Sequence, residues 1–201
     1  LTESSMLDDG ENNYICSIFY DEQAKSCAVA SADVSTGKAA LSVFEGKDLE
    51  AGVINELSRC RPAEVIFPDS FLSLKNVADF IKVRLDCAVT MRDAECFDPS
   101  RKRTMAAAVF GAKNVAELGL SEDGADCAAV CGLFDYINDT QKTSVSRFTS
   151  LEILGGDAFM GLDLNARRNL ELTETLRNKE KKGSLLWVLD STKTSMGRRM
   201  L

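Results

Sequence analysis

Apolar and polar positions follow two different periods along this chain, and the switch between them organises its first half. Tyr14–Phe19 (Tyr-Ile-Cys-Ser-Ile-Phe) and Ser26–Val34 are short runs of apolar and small residues, and Ala39–Phe44 follows the turn Ser35-Thr-Gly37. Runs of this length separated by turn residues predict three consecutive strands in an antiparallel meander. After Gly46 the period lengthens. Asp48–Cys60 puts Leu49, Val53/Ile54 and Leu57 on one face, which predicts a helix with Asp48 as N-cap. Val65-Ile-Phe67 is a wholly apolar strand stopped by Pro68-Asp69. Phe71–Leu85 is a helix with a Leu74, Val77/Ala78, Ile81 stripe, and Cys87–Met91 is a fifth strand. Asp98-Pro99 starts a helix over Ser100–Phe110, because proline suits the first helical position. Gly111 and Gly119–Gly124 mark a looser connection. Asp126–Lys142 is the longest helix, and Thr143–Asp157 is a loop with one candidate strand, Leu151-Glu-Ile-Leu154.

The last quarter reads as three helical pieces. Ala166–Leu176 is expected to be the first, with Asn165 as N-cap. The charged loop Asn178–Gly183 leads to a second, capped by Ser184 and carrying Leu185, Leu186, Val188 and Leu189. Ser195 is placed to cap a third, still running at Met200-Leu201. Residues 1–12 are polar and read as a linker, and the apolar end reads as a piece of something longer. Residues 166–201 are accordingly expected to pair with a second copy or to be more mobile than 13–118.

The 201 residues suffice for one full core and part of another. No apolar run approaches the length of a membrane span. Seven cysteines, an odd number scattered among apolar residues, and no histidine argue against a zinc site. Cys127 and Cys131 share a helix face, but the plain reading is free thiols in a reducing cytoplasm. Charge is uneven: residues 167–201 carry net +5 and residues 1–166 net −12. An acidic body repels phosphates, so only the basic tail suits a nucleic-acid contact, and a solvated helix face explains Arg167/Arg168 and Lys179–Lys182 as simply.

Three antiparallel strands followed by strand–helix–strand–helix form an α/β sheet of the ribonuclease-H kind, with five strands and flanking helices, followed by an all-α segment. That fold invites a metal-dependent nuclease reading, the alternative to a structural role. Two-metal chemistry needs converging carboxylates, usually one of them mid-strand. The first strand instead centres on Cys16 and Ser17, Asp21 lies past its end, and Asp33, Glu56 and Asp69 converge only loosely. No phosphate-binding loop of the G-x-x-x-x-G-K-[ST] type is present, and without histidine no Ser/His/Asp set can form. No catalytic, cofactor-binding or metal-binding residue is assigned.

Two long motifs stand out: Leu162-Asp-Leu-Asn-Ala-Arg-Arg-Asn-Leu-Glu-Leu172 and Leu185-Leu-Trp-Val-Leu-Asp-Ser-Thr-Lys-Thr-Ser-Met-Gly-Arg-Arg-Met-Leu201. With Asp33-Val-Ser-Thr-Gly37, Arg61-Pro-Ala-Glu64 and Asp139-Thr-Gln-Lys-Thr143, they make the chain similar to bacterial DNA mismatch-repair proteins of the MutS family. The resemblance implies a linker at 1–12, a ribonuclease-H-like connector domain at 13–120 and the start of the helical core or lever domain at 121–201. It implies a cytoplasmic protein whose connector links mismatch recognition to a distant ATPase and offers a surface to MutL. Mismatched DNA and a homodimer partner belong to the parent protein. So do ATP and Mg, and the family's Phe-x-Glu reading motif; Phe44-Glu45 and Phe97-Asp98 are ordinary pairs. Arg167, Arg168, Asn169 and Glu171 are expected to make structural hydrogen bonds and ion pairs.

Overall fold

The structure, a computed structural model, describes residues 13–140, 148–155, 162, 164–194 and 197–198. Strands β1 (Tyr14–Asp21), β2 (Ser26–Asp33) and β3 (Lys38–Glu45) form the expected antiparallel meander. Helix α1 (Leu49–Cys60) then carries the chain to β4 (Glu64–Phe67), which lies parallel to β1, with Cys16 opposite Val65. A 3-10 turn (Asp69–Ser73) and α2 (Lys75–Arg84) lead to β5 (Ala88–Met91), parallel to β4. Past a second 3-10 turn (Ala94–Phe97) come α3 (Pro99–Val109), a third such turn (Val115–Leu118) and α4 (Ala125–Thr140). β6 (Leu151–Leu154) closes the sheet, parallel to β3 from Ala39–Leu151 to Ser42–Leu154. The order is β5-β4-β1-β2-β3-β6.

Strand alternation assigns the two faces. Ile15, Ala28, Ala30, Ala32, Leu41 and Ile66 pack beneath α3 and α4, against Val130, Leu133, Phe134 and Ile137. Their neighbours Cys16, Ile18, Cys27, Val29, Val65 and Phe67 pack on the other side, against Val53 and Leu57 of α1 and Val77 and Ile81 of α2. The result is an α/β/α sandwich. Small residues on β2 let α4 settle close to the sheet. At Gly132 a Cβ would stand 2.3 Å from the Phe97 ring, so glycine sets how closely this turn of helix meets the aromatic ring. Phe134 takes edge-on contacts from Phe110 and Phe148, each with ring centres 5.1 Å apart. Each such fully buried side chain stabilises the fold by about 1.5–3 kcal/mol.

The compact unit runs Asn13–Gly156 and includes α4, which the expected division at 120/121 assigns to the helical segment. Three expectations need correction. The sheet has six strands among the described residues, not five, because the candidate run Leu151–Leu154 pairs with the outer edge of the meander. The helix expected over Phe71–Leu85 is divided at Leu74 (φ −85, ψ 72), which lies outside the helical region. Asp48 occupies the N-cap position of α1 without a side-chain cap bond.

The second unit holds α5 (Leu164–Asn169) and α6 (Leu185–Leu189). α5 is far shorter than the expected Ala166–Leu176, and Asn165 lies inside it rather than capping it. The chain leaves the helix by a Schellman closure: Leu172 N–H donates to Arg167 O (3.3 Å) and Glu171 N–H to Arg168 O (3.0 Å), with Glu171 at φ +48. Ser184 caps α6 as expected, accepting from Trp187 N at 3.2 Å. The hydroxyl that accepts from Gly197 N is that of Thr194, at 3.0 Å. Ser195 lies outside the described residues.

Candidate functional site

The carboxylates weighed for metal chemistry are engaged separately. Asp33, at the end of β2, accepts from Ser35 N (2.8 Å), Ser35 Oγ (2.6 Å) and Thr36 Oγ1 (2.8 Å), so the Asp33–Gly37 motif is a turn built around one carboxylate. Gly37, at φ +73, completes it by donating its N–H to Asp33 O at 2.8 Å. Asp21 ties down the β1–β2 turn through Gln23 N and Ala24 N. Glu56 holds Arg59 at 2.6 Å on α1, and Asp69 opens an exposed 3-10 turn. Among the described residues no group of three or more His, Cys, Asp or Glu is placed to hold a metal ion. At the centre of β1 the buried Ser17 hydroxyl has no partner in the structure.

The residues the structure does bring together were not anticipated as a group. Glu64, buried at the start of β4, accepts from Tyr136 Oη of α4 at 2.6 Å and from Thr90 Oγ1 of β5 at 2.9 Å. The Arg92 guanidinium lies 5.5 Å from the centre of the Tyr136 ring and bridges Asp135 (3.3 Å) and Asp139 (2.5 Å). Lys102 of α3 donates to the other Asp135 oxygen at 2.5 Å. One polar network thus joins β4, β5, α3 and α4.

Its electrostatics follow from this pairing. Burial pushes the Asp135 carboxyl up, but Lys102, Cys96 and Arg92 donate to it and together hold it below its ordinary value. The bond to Asp135 raises Lys102, and the bond to Asp139 raises Arg92. Burial, then the Glu64 bond, lifts the Tyr136 phenol to about 12, so it stays a donor at any ordinary pH. Beside the network an open cleft is lined by Asp93, Glu95, Cys96, Arg101 and Lys102. Arg101 pairs with Glu95 at 2.7 Å and Lys102 with Asp135, so its cations are already neutralised.

Two of the quoted motifs end in this network. In Arg61-Pro-Ala-Glu64, Arg61 closes α1 in the left-handed region (φ +45), its N–H donating to Leu57 O, and Glu64 enters the core. Of Asp139–Thr143, Asp139 holds Arg92 and Thr140 bonds back to Tyr136 O; residues 141–143 lie outside the described residues. The C-terminal motifs also serve structure. Glu171 accepts Leu176 N–H on its carboxylate at 2.7 Å and Leu185 N–H on its carbonyl at 3.0 Å, and Leu172 O accepts Leu186 N–H at 2.9 Å. Asp190 takes the Thr192 hydroxyl and N–H and pairs with Lys181 at 3.1 Å, bonds that bring its carboxyl down to about 2.

These elements define a mixed α/β sheet whose helices are tied to it by buried polar side chains. The sequence matches two family models, MutS domain II over residues 13–149 and MutS domain III over residues 165–201. The chain belongs to the MutS family. It is 41% identical over its whole length to the DNA mismatch repair protein MutS of Clostridium perfringens, covering 21% of that protein. Against MutS of Alkaliphilus oremlandii and of Clostridium novyi it is 34% identical over its whole length, covering 23% and 21% of them. The chain therefore spans about a fifth of the relatives it matches.

Proposed function

We propose that this chain is the connector and first lever segment of a MutS mismatch-repair protein, and that it works without chemistry of its own. Its role is to pass the state of a mismatch-bound DNA site to an ATPase carried elsewhere in the protein, and to offer a docking surface to MutL. The order β5-β4-β1-β2-β3, with β1, β2 and β3 antiparallel and β4 and β5 running parallel to β1, supports a ribonuclease-H-like assignment for the connector. Seven free thiols suit a reducing cytoplasm. Mismatched DNA, the homodimer, ATP and Mg belong to the parent protein, since these residues include no phosphate-binding loop to hold a nucleotide.

The observation that carries this reading is the network around Asp135. A coupling element must move as one body, and these ion pairs and hydrogen bonds lock the last helix of the sheet unit onto two strands and a second helix. The test uses a full-length protein carrying these residues, with Arg92→Ala and Asp135→Asn. Mismatched-DNA affinity and basal ATP turnover are expected to stay within about twofold, while stimulation of turnover by mismatched DNA falls by about tenfold. Unchanged stimulation in folded variants would end the coupling proposal.

A further inference from the structure

Helix α4 carries two thiols that the network does not use. Cys127 and Cys131 are both fully buried, with their sulfurs 3.9 Å apart. Cys127 lies in the first turn of a 16-residue helix, where unsatisfied N–H groups and the helix dipole favour a thiolate. The two sulfurs share one S–H···S contact in which either thiol can donate. That bond holds the Cys127 thiol below its ordinary value, and the same bond together with burial pushes Cys131 up.

The spacing decides what the pair can do. A disulfide needs sulfurs about 2.05 Å apart, so two side chains on one helix would have to close roughly half the gap. One soft centre shared by both thiolates needs no such movement. Two bonds of about 2.3 Å to one pyramidal centre hold the sulfurs about 3.4 Å apart, so the 3.9 Å separation closes by only about 0.5 Å. A metal ion would require further protein ligands, and among the described residues no group of three or more is available. The occupant must take two thiolates from the chain and bring its remaining substituent with it. Trivalent arsenic bonded to one organic group meets that requirement.

We propose that Cys127 and Cys131 form a binding site for trivalent organoarsenicals, which bridge the first two turns of α4. With an arsine oxide, two As–S bonds form as the arsenic–oxygen bonds break. The two thiol protons leave with that oxygen as one water molecule, and no electrons are transferred. Entry is through the start of the helix. The exposed Ser121–Asp123 segment leads into it through half-buried Gly124 and is held by Asp126, which accepts from Ser121 N at 2.7 Å and from Ser121 Oγ at 2.5 Å. Helix ends open more readily than helix centres, so the first turn is the natural breach.

The test treats the 201-residue chain with phenylarsine oxide and reads intact mass. One phenylarsenic per chain is expected, retained against excess monothiol and released by a small dithiol. It should be lost in Cys127→Ala and in Cys131→Ala, and kept when Cys16 or Cys60, the other contacting pair, is replaced by alanine. Maleimide labelling in denaturant followed by peptide mapping reads the unaltered chain, so the result does not depend on the variants folding. Cys127 and Cys131 should be shielded together. An adduct that survives in either variant, shielding at Cys16 and Cys60 instead, or no dithiol-reversible adduct would overturn the assignment.

Discussion

Helices α4 and α6 make an instructive pair. α6 is the more hydrophobic by composition, Leu-Leu-Trp-Val-Leu, yet none of its five residues is buried, and Trp187, Val188 and Leu189 are each about half exposed or more. α4 reads Ala-Asp-Cys-Ala-Ala-Val-Cys-Gly-Leu-Phe-Asp-Tyr-Ile, and twelve of its sixteen residues are buried. What separates them is a surface to lie on. β2 presents alanines to α4, and Gly132 lets the Phe97 ring come close, so small residues on both partners bring the helix into contact along its length. Hydrophobicity supplies a driving force, but complementary relief decides where it is used.

The largest effect that would break this comparison is a cavity. Phe134→Ala should cost the sheet unit about 3–5 kcal/mol, whereas Trp187→Ala should cost less than about 1 kcal/mol. Chemical denaturation with separate probes on each unit measures both, and equal losses would show that α6 is as tightly held as α4.

The next tests concern polar burial. Tyr136→Phe leaves Glu64 short of a donor in the core and should cost about 1–3 kcal/mol. A double-mutant cycle with Thr90→Val should give strong coupling through the shared carboxylate. Additive losses would mean the two bonds act independently.

Acid sharpens the same point. Asp135 is held below its unfolded value, so its stabilising contribution is present above about pH 4 and is lost as pH falls through the lower folded value. The wild-type chain should therefore lose stability on acidification more steeply than Asp135→Asn. Parallel pH profiles would remove Asp135 from the account. Lys102 acts at the other end of the scale, its contribution fully present at neutral pH and lost as pH rises from its ordinary value through its raised one.

The smallest effects run in the stabilising direction. Ser17→Ala removes a buried hydroxyl without a partner and should add about 1 kcal/mol. Arg61→Gly relieves a left-handed residue at the end of α1 but gives up the interactions of the arginine side chain, so its gain should stay below about 1 kcal/mol. Glu171→Gly relieves a similar strain but loses the carboxylate bond to Leu176 N, so its gain should be smaller. Thermal melts of the three variants check the order.

How much of this was legible follows from the range of each interaction. The meander, α1, β4 and β5 announce themselves through local period and turn residues, and Pro99 marks the start of α3. Asp98 caps it by accepting Ser100 N–H at 2.9 Å. β6 is four residues long and gains its identity only from a partner far back in the chain, so its own pattern was ambiguous. The end of α5 depends on Glu171 adopting positive φ, which glutamate does not advertise. α4 gave one usable sign: small and apolar residues on every side indicate burial all round rather than a one-sided lever helix. The Glu64–Tyr136–Arg92 network was hidden because a lone glutamate beside an apolar strand reads as solvent-facing. Only the tertiary fold brings Tyr136 to it.

The pairing of β6 with β3 also bears on the order in which a ribosome can complete this protein. The meander can assemble once residue 45 has emerged, because its contacts are local. The far edge of the sheet must wait for Leu151–Leu154, roughly a hundred residues later, and α4 has to be synthesised in the interval. During that time the alanine-lined face of β2 stands open to the cell. The nascent chain passes through a stage in which half of its future core is wet, and chaperone dependence should be concentrated there.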